Sequence, residues 1–382
     1  MADTVGSGPR CVALVGPYLS GKTSLLEAML VASGAVSRKG SVRDGNMVGD
    51  GSPISRKRGF STELNVAHCS FMDEPWAILD CPGSIEFGQD ARNALMVADI
   101  AVIVVEADAA KASALAPTLK FINENQIPHL LFINKFDHPS SSLEETFAAL
   151  QQVSDARLVL RHLPIRDGDA TVGYVDLISQ RAYGYREGDM SEVIEVPPDL
   201  DDDRVLARQE LLESLADFDD GLLEKLLEDI VPDEKEVYRD LTENLAADNI
   251  VPVMIGAAAM QAGVFRLWKS LRHDAPGVSV TSARRGFAVG GDPLAQVFKT
   301  SQARTGKLSH ARVWTGMVAD GMSLGGGRIG GLFRMMGQDQ EKIAEAGPGT
   351  VVALGRLEDA QTGDVLDPSG RDSGGDAWPE LL

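Results

Sequence analysis

Four short apolar runs, at residues 12–15, 76–79, 100–105 and 130–133, contain no alternating polar residue, and that absence constrains the fold more than any other feature. A strand with one wet face alternates; a run without alternation is buried on both faces, as in a parallel sheet covered by helices. The stretches between them, such as 24–32 and 115–123, have helical spacing, and right-handed crossovers lay such helices over both faces. The expected fold is α/β, built on a doubly wound, mostly parallel sheet.

The length of 382 residues fits two to three domains on a prior of roughly 100–200 residues each. We assign 1–156 to the first part of the sheet domain and 157–249 to an inserted α+β subdomain. A buried-strand run at 251–255 and a helical pattern at 264–271 place the last strand and helix of the sheet domain in 250–277. A Gly-, Ser- and Arg-rich linker follows at 278–291, then a small antiparallel β-barrel at 292–368 with short alternating runs and turn signals, and a tail at 369–382 that reads as the end of an expressed fragment.

Charge is unevenly distributed. Residues 199–248 hold eighteen acidic against five basic side chains, and leucines at 211, 212, 215, 222, 223, 226 and 227 recur at helical spacing, so this part of the insert reads as amphipathic helices with an acidic outer face. Asp233 with Glu236 three residues on has the pattern of a capping box. From 294 to 336 there are six basic residues (Lys299, Arg304, Lys307, Arg312, Arg328, Arg334) and one acid, Asp320, which suits a solvated face, or one turned to RNA or another acidic partner. A net charge of -20 excludes non-specific nucleic-acid binding by the chain as a body. The six histidines show no ligand spacing, and three cysteines without a CxxC pair fit reduced thiols in a cytoplasm. No apolar run reaches the ~18 residues that a bilayer needs, so no membrane partner is expected.

The residues from Gly16 to Thr23 fit GxxxxGK[ST] between the run 12–15 and a helix carrying Leu25, Leu26, Met29 and Leu30. In that context main-chain amides turn inward around phosphate oxygens and the helix N-terminus adds its dipole. Gly16, Ser20, Gly21, Lys22, Thr23 and Ser24 are therefore the candidate phosphate cradle, with Lys22 on the outer phosphates and the Thr23 hydroxyl on Mg2+. Asp80-Cys-Pro-Gly83 ends the next strong strand, where Asp80 can hold Mg2+ through water and the Gly83 amide can sense the terminal phosphate. Asn134-Lys135-Phe136-Asp137 fits NKxD, in which the Asp137 carboxylate accepts two hydrogen bonds from the guanine edge that adenine lacks. An ATP-using kinase on the same loop is disfavoured by that tetrad. Gly256-Ala257-Ala258 can supply an amide to the guanine keto oxygen.

These elements, in this order, resemble the GTP-binding domain of translational GTPases, and the similarity to elongation factor G runs over nearly the whole chain. It includes Lys57-Arg-Gly59, the 80–87 segment, Gly173-Tyr-Val-Asp-Leu177 in the insert, and Gly306-Lys-Leu with Thr362-Gly-Asp364 in the barrel. The resemblance implies a P-loop GTPase domain with its insert, a second-domain barrel, GTP or GDP with Mg2+ as cofactors, GTP hydrolysis, and a ribosomal partner (rRNA and ribosomal proteins) for a cytoplasmic monomer that binds no DNA.

Three departures from the family qualify that expectation. Ser84 stands where the family places a histidine that orients the attacking water, so Ser84, with Lys22 and Gly83, forms a catalytic set expected to hydrolyse GTP slowly. The alternative is a GTP-gated binding module with little or no hydrolysis. Leu19 replaces an aspartate of the phosphate loop, and Arg58-Gly-Phe-Ser61-Thr62 replaces Arg-Gly-Ile-Thr, which puts Ser61 at the metal hydroxyl with Thr62 one residue late as the other choice. The metal set is thus Thr23, Ser61 and Asp80.

Overall fold

The computed structural model describes residues 8–41, 45–49, 51, 53–58, 60–186, 189, 191–287, 290–303, 306–372 and 378–379. Gly59, Arg304, residues 288–289 of the expected linker and residues 373–377 and 380–382 of the tail lie outside them. The chain divides into two compact units, Met1–Ala101 with Pro276–Leu382, and Val102–Ala275.

In the first unit, β1 (Arg10–Val15) lies parallel to β3 (Glu74–Asp80), with Leu14 opposite Asp80, and β3 pairs antiparallel with β2 (Asn65–Phe71). Every residue of β1 is buried, as the unalternating run requires. The helix Lys22–Ala32 starts at Gly21, whose φ of 92° is in the left-handed region that glycine enters without steric cost. Leu25, Leu26, Met29 and Leu30 on that helix are all buried.

The C-terminal part of this unit is a seven-stranded antiparallel sheet. Its order is Asp339–Ile343, Leu332–Met336, Val351–Gly355, Gly306–Thr315, Leu294–Ala303, Val365–Asp367, Gly370–Asp372. Val297, Val313, Leu332, Val352, Leu354 and Leu366 fill its core. Several of its basic residues have partners within the chain. Arg312 is fully buried, with Nη2 2.6 Å from Asp99 Oδ2, and Lys307 donates to the carbonyls of Glu358 (2.7 Å) and Ala360 (2.6 Å). Arg328 donates to the Gly321 carbonyl, and Arg334 pairs with Glu341. Asp99 accepts from Cys11 N (2.7 Å) and Thr281 Oγ1 as well, so a helix at Val278–Arg284, β1 and the barrel all converge on one buried carboxylate. Such a pair is weak evidence for stability, but leaving either charge unpaired is costly.

His310 is buried in the same barrel, with Nε2 2.9 Å from Ser301 Oγ. Burial, aided by Lys299, pushes its imidazole down from 6.5 to about 3. The unfolded chain takes up that proton first, so the neutral ring's contribution is complete above pH 6.5 and is lost as the pH falls towards 3. Between pH 7 and pH 5 it amounts to about 2 kcal/mol. His310→Gln should shrink the acid-induced loss of stability by that amount, read from urea midpoints at the two pH values. Identical losses in the two proteins would contradict it.

In the second unit, β4 (Ile100–Glu106, entering from the first) is an almost wholly buried apolar strand, and β5 (His129–Asn134) is buried throughout. Next along the chain come β6 (Arg157–Leu160) and the antiparallel strands β7 (His162–Asp167), β8 (Ala170–Asp176), β9 (Ala182–Gly184) and β10 (Glu192–Ile194). β11 (Ile250–Ile255) runs parallel to both β5 and β6. Helices Asp201–Ala216, Asp220–Leu227 and Glu234–Ala246 bury Leu211, Leu212, Leu215, Leu222, Val237 and Leu241. On the first helix Leu211, Leu212 and Leu215 are buried as expected while Val205 and Leu206 are exposed, and on the second Leu223 and Leu227 are exposed at 43% and 78%. Asp233 caps the third by accepting from Glu236 N at 2.9 Å. The expected box is only half made, because the Glu236 carboxylate turns to Lys225 instead.

Among the described residues no helix is long and apolar enough to cross a membrane.

Candidate functional site

The phosphate-loop residues lie in the first unit. After β1 the backbone turns through Gly16 (φ 139°), Leu19 (φ 61°) and Gly21 (φ 92°). Leu19, 58% exposed, takes the left-handed conformation with a branched side chain, at a cost of roughly 1–2 kcal/mol that a short polar residue such as aspartate would largely avoid. Lys22 curls back into the loop, where Nζ donates to the carbonyls of Gly16 (3.0 Å) and Pro17 (2.8 Å). Burial lowers its pKa, while the Asp80 carboxylate opposes the shift. Ser20 is buried and its amide closes a turn on the Pro17 carbonyl at 3.3 Å. Ser24 is half-buried in the first helical turn.

Cys81 N bonds to Leu14 O (3.1 Å) and holds the end of β3 against β1, which brings the 80–83 segment to the loop. Gly83 is there for a steric reason. A Cβ at that position would run into Lys22 Nζ and come within 2.7 Å of Pro17 O. Ser84 follows in extended conformation (φ -78°, ψ 140°) ahead of the turn Ile85–Phe87.

Thr23 Oγ1 lies 2.8 Å from Asp80 Oδ2 and 2.9 Å from Ser61 Oγ, so the three residues expected to hold a metal meet. These are hard oxygen donors, and neighbouring ligands of an octahedral Mg2+ with bonds of 2.0–2.1 Å sit about 2.9 Å apart. The oxygen donor set fits that ion, and the present separations are those of hydrogen bonds among the three side chains. Thr62 goes elsewhere, its Oγ1 3.1 Å from Ser55 Oγ, and of the two hydroxyls only Ser61 reaches Thr23. Glu27 was missed by sequence reasoning. From the first helix it accepts the amides of Gly40 (3.0 Å) and Val48, and it fixes the segment in which Gly49 lies so close to Thr23 and Asp80 that no Cβ fits (2.8 Å from Asp80 Oδ2). Nothing but an acid in the middle of an apolar helix signals its role.

The NKxD residues lie in the second unit, at the end of β5. Asn134 is buried, and its Oδ1 accepts the Ala258 amide at 2.9 Å. Of the amides that Gly256-Ala257-Ala258 offers, that of Ala258 is given to Asn134. Phe136 N donates to Gly256 O (3.0 Å) and Gly256 N to Ile133 O (2.9 Å), which ties the 134–137 loop to the 256–258 turn. Gly256 touches the Phe132 ring and Ala262 O (2.6 Å from a Cβ) too closely for any larger residue, and Ala257 is buried beside it. Asp137 is half-buried, with its carbonyl 3.4 Å from Thr171 N. Lys135 takes a left-handed backbone (φ 58°), and its ammonium pairs with Glu106 at the end of β4. Burial works to raise the Glu106 carboxyl, but Lys111 and Lys135 outweigh it and hold it below its usual value. Glu106 went unremarked in the sequence, where it is simply the first charge after an apolar run.

A glycine-rich turn from a parallel strand into a helix, a buried lysine, a hydroxyl–carboxylate triangle and an NKxD loop define a P-loop nucleotide-binding protein. The chain belongs to the elongation factor Tu GTP binding domain family, whose description matches residues 9–277, and residues 293–368 match elongation factor G domain 2. It is 46% identical over 368 residues to an "Elongation factor G-like protein" of Synechocystis sp., covering 96% of this chain and 55% of that one. To "Elongation factor G 1" of Geobacter sulfurreducens it is 27% identical over 384 residues, covering 95% and 56%. A crystal structure from Thermus thermophilus superposes with a TM-score of 0.88 at 28% identity over 99% of this chain and 56% of that one. The chain therefore spans about half the length of the relatives it matches.

Proposed function

We propose that this chain binds GTP and GDP with Mg2+, hydrolyses GTP slowly, and works in translation on the ribosome, as the names of its relatives suggest. The observation that carries the reading is the meeting of Thr23, Ser61 and Asp80 beside a phosphate loop with Lys22 inside it. In this reading Lys22 exchanges the Gly16 and Pro17 carbonyls for phosphate oxygens, and the amides of 20–24 line the remaining phosphate oxygens. Thr23, Ser61 and Asp80 would hold Mg2+, which would supply charge neutralisation at the phosphates. Asp137 reads the guanine edge, with Asn134, Lys135 and the 256–258 turn framing it. Ser84 and Gly83 stand at the terminal phosphate. A second reading, a nucleotide-gated binding module, is favoured by Ser84 alone, since a hydroxyl there orients water less well than an imidazole.

Competition against a fluorescent guanine nucleotide tests the reading. GTP and GDP should displace it at concentrations at least a thousandfold below ATP, since a pocket built to pair a base edge rejects the base lacking it by about 10⁴–10⁵. Equal displacement by ATP would end it.

A further inference from the structure

The loop that brings Ser61 to the metal triangle is held at both ends by the barrel. At one end, the turn at Gly337 and Gln338 presses on it. A Cβ on Gly337 (φ 60°) would run into the Val48 carbonyl, and a Cβ on Gly51 would run into the Gln338 side chain. At the other end, Lys299 donates from Nζ to the Leu64 carbonyl and lies 3.4 Å from Glu63 Oε2, with only 13% of its side chain exposed. Leu64 N is fixed in turn by Asp90 Oδ2 at 2.9 Å. The strand that follows is clamped as well, since His68 places its ring nitrogens 2.8 Å from Met335 O and 2.9 Å from Val351 O.

Ser61 is three residues from Leu64, so at most about 11 Å of chain separates the metal hydroxyl from the barrel's ammonium. Over so short a reach, a shift at Leu64 is carried to Ser61 with little room to dissipate. We propose that Lys299 is a positioning residue of the nucleotide site, fixing Ser61 for Mg2+ from the second domain. The proposal rests on the reading of that site as an Mg2+–GTP site, and it adds that the barrel sets how tightly the triphosphate state is held.

The chemistry separates this role from simple packing. In GTPases the loop hydroxyl joins the metal only while the terminal phosphate is present and leaves on hydrolysis. A tether acting through Ser61 therefore matters for the triphosphate and not for GDP. Loss of mere packing would weaken both alike.

The test measures Mg2+-dependent binding of GTPγS and of GDP to the whole chain carrying Lys299→Met, which keeps the apolar stem and removes the donors. The Mg2+ concentration needed to hold GTPγS should rise about tenfold, with GDP unchanged. Lys299→Arg should restore most of the loss, because it still donates to Leu64 O and Glu63. Glu63→Gln, a milder cut of the same tether that leaves the packing alone, should shift GTPγS about threefold in the same direction. Equal weakening of both nucleotides in these variants, or no change in either, would overturn the tether while leaving the site reading intact. A wild-type chain that binds neither nucleotide would overturn both.

Discussion

Replacing Asp137 by asparagine is expected to cost the chain on the order of 10²–10⁴ in GTP affinity and to give it measurable affinity for xanthosine triphosphate. In the proposed site the carboxylate would accept from two guanine donors, and each hydrogen bond to a charged acceptor contributes about 1.5–3 kcal/mol. An amide can accept one of these bonds, but its NH2 then meets the second guanine donor head-on. Xanthine presents a carbonyl at that place, so the same amide finds a partner. The local scaffold should survive the change. The Asp137 main chain is held through Thr171 N, the loop around it through Phe136 N and Gly256 O, and Asn134 through the Ala258 amide, none of which uses the Asp137 carboxylate. Titrations of the two triphosphates against wild type and variant measure the exchange. A variant that loses GTP without gaining the xanthine nucleotide, while its melting temperature stays put, would place Asp137 away from the base.

Motif residues whose roles depend on neighbours in sequence were legible in one dimension. The apolar run before Gly16 is β1, the run before Asp80 is β3, and the helix after Lys22 buries the predicted leucines, because burial on both faces leaves a pattern that survives along the chain. The choice between Ser61 and Thr62 was not legible. In the structure the Thr62 hydroxyl lies against that of Ser55, seven residues earlier, and Ser61 faces Thr23. The bounds of β2 were not legible either, although Cys69 reads as inside or beside a strand. β2 alternates through His68 and Ser70, and its turn to β3 is made by Met72 and Asp73, both at positive φ (49° and 66°) without a glycine to announce it.

Long-range pairs were invisible for a different reason. Arg312 looked like part of a basic surface when charges were counted along the chain, yet its partner Asp99 lies 213 positions away and both are fully buried. Lys299 reached Leu64 across 235 positions, and Glu106 reached Lys135 across 29. No periodicity records such contacts, since each depends on how two elements dock and not on how either is built. The acidic insert shows the same limit at short range. Spacing alone could not tell that Leu223 and Leu227 face solvent or that Glu236 prefers Lys225 to its own helix cap.

Ser84→His should raise GTP hydrolysis in the presence of ribosomes by roughly 10²–10³, the factor that one aimed group at a reacting water typically supplies. Phosphoryl transfer needs little covalent help from the protein, so the rate depends on how well water is oriented and charge is neutralised. The serine hydroxyl ends one bond beyond Cβ, while an imidazole reaches farther and can hold a water at its ring nitrogen. The backbone accepts the change. Ser84 is extended, precedes a short turn and is only half-buried, so a longer side chain has an allowed backbone conformation and is not enclosed. Binding should be unaltered, because Lys22, Thr23 and Asp80 make no use of the Ser84 side chain in their contacts. Single-turnover phosphate release from wild type and variant at equal GTP occupancy separates the two readings of the chain. A wild type already as fast as the variant would show that water is oriented by another group. A slow wild type quickened by the imidazole would show that everything for hydrolysis except the aimed base is in place, as expected if the chain holds GTP as a signal more than it consumes it.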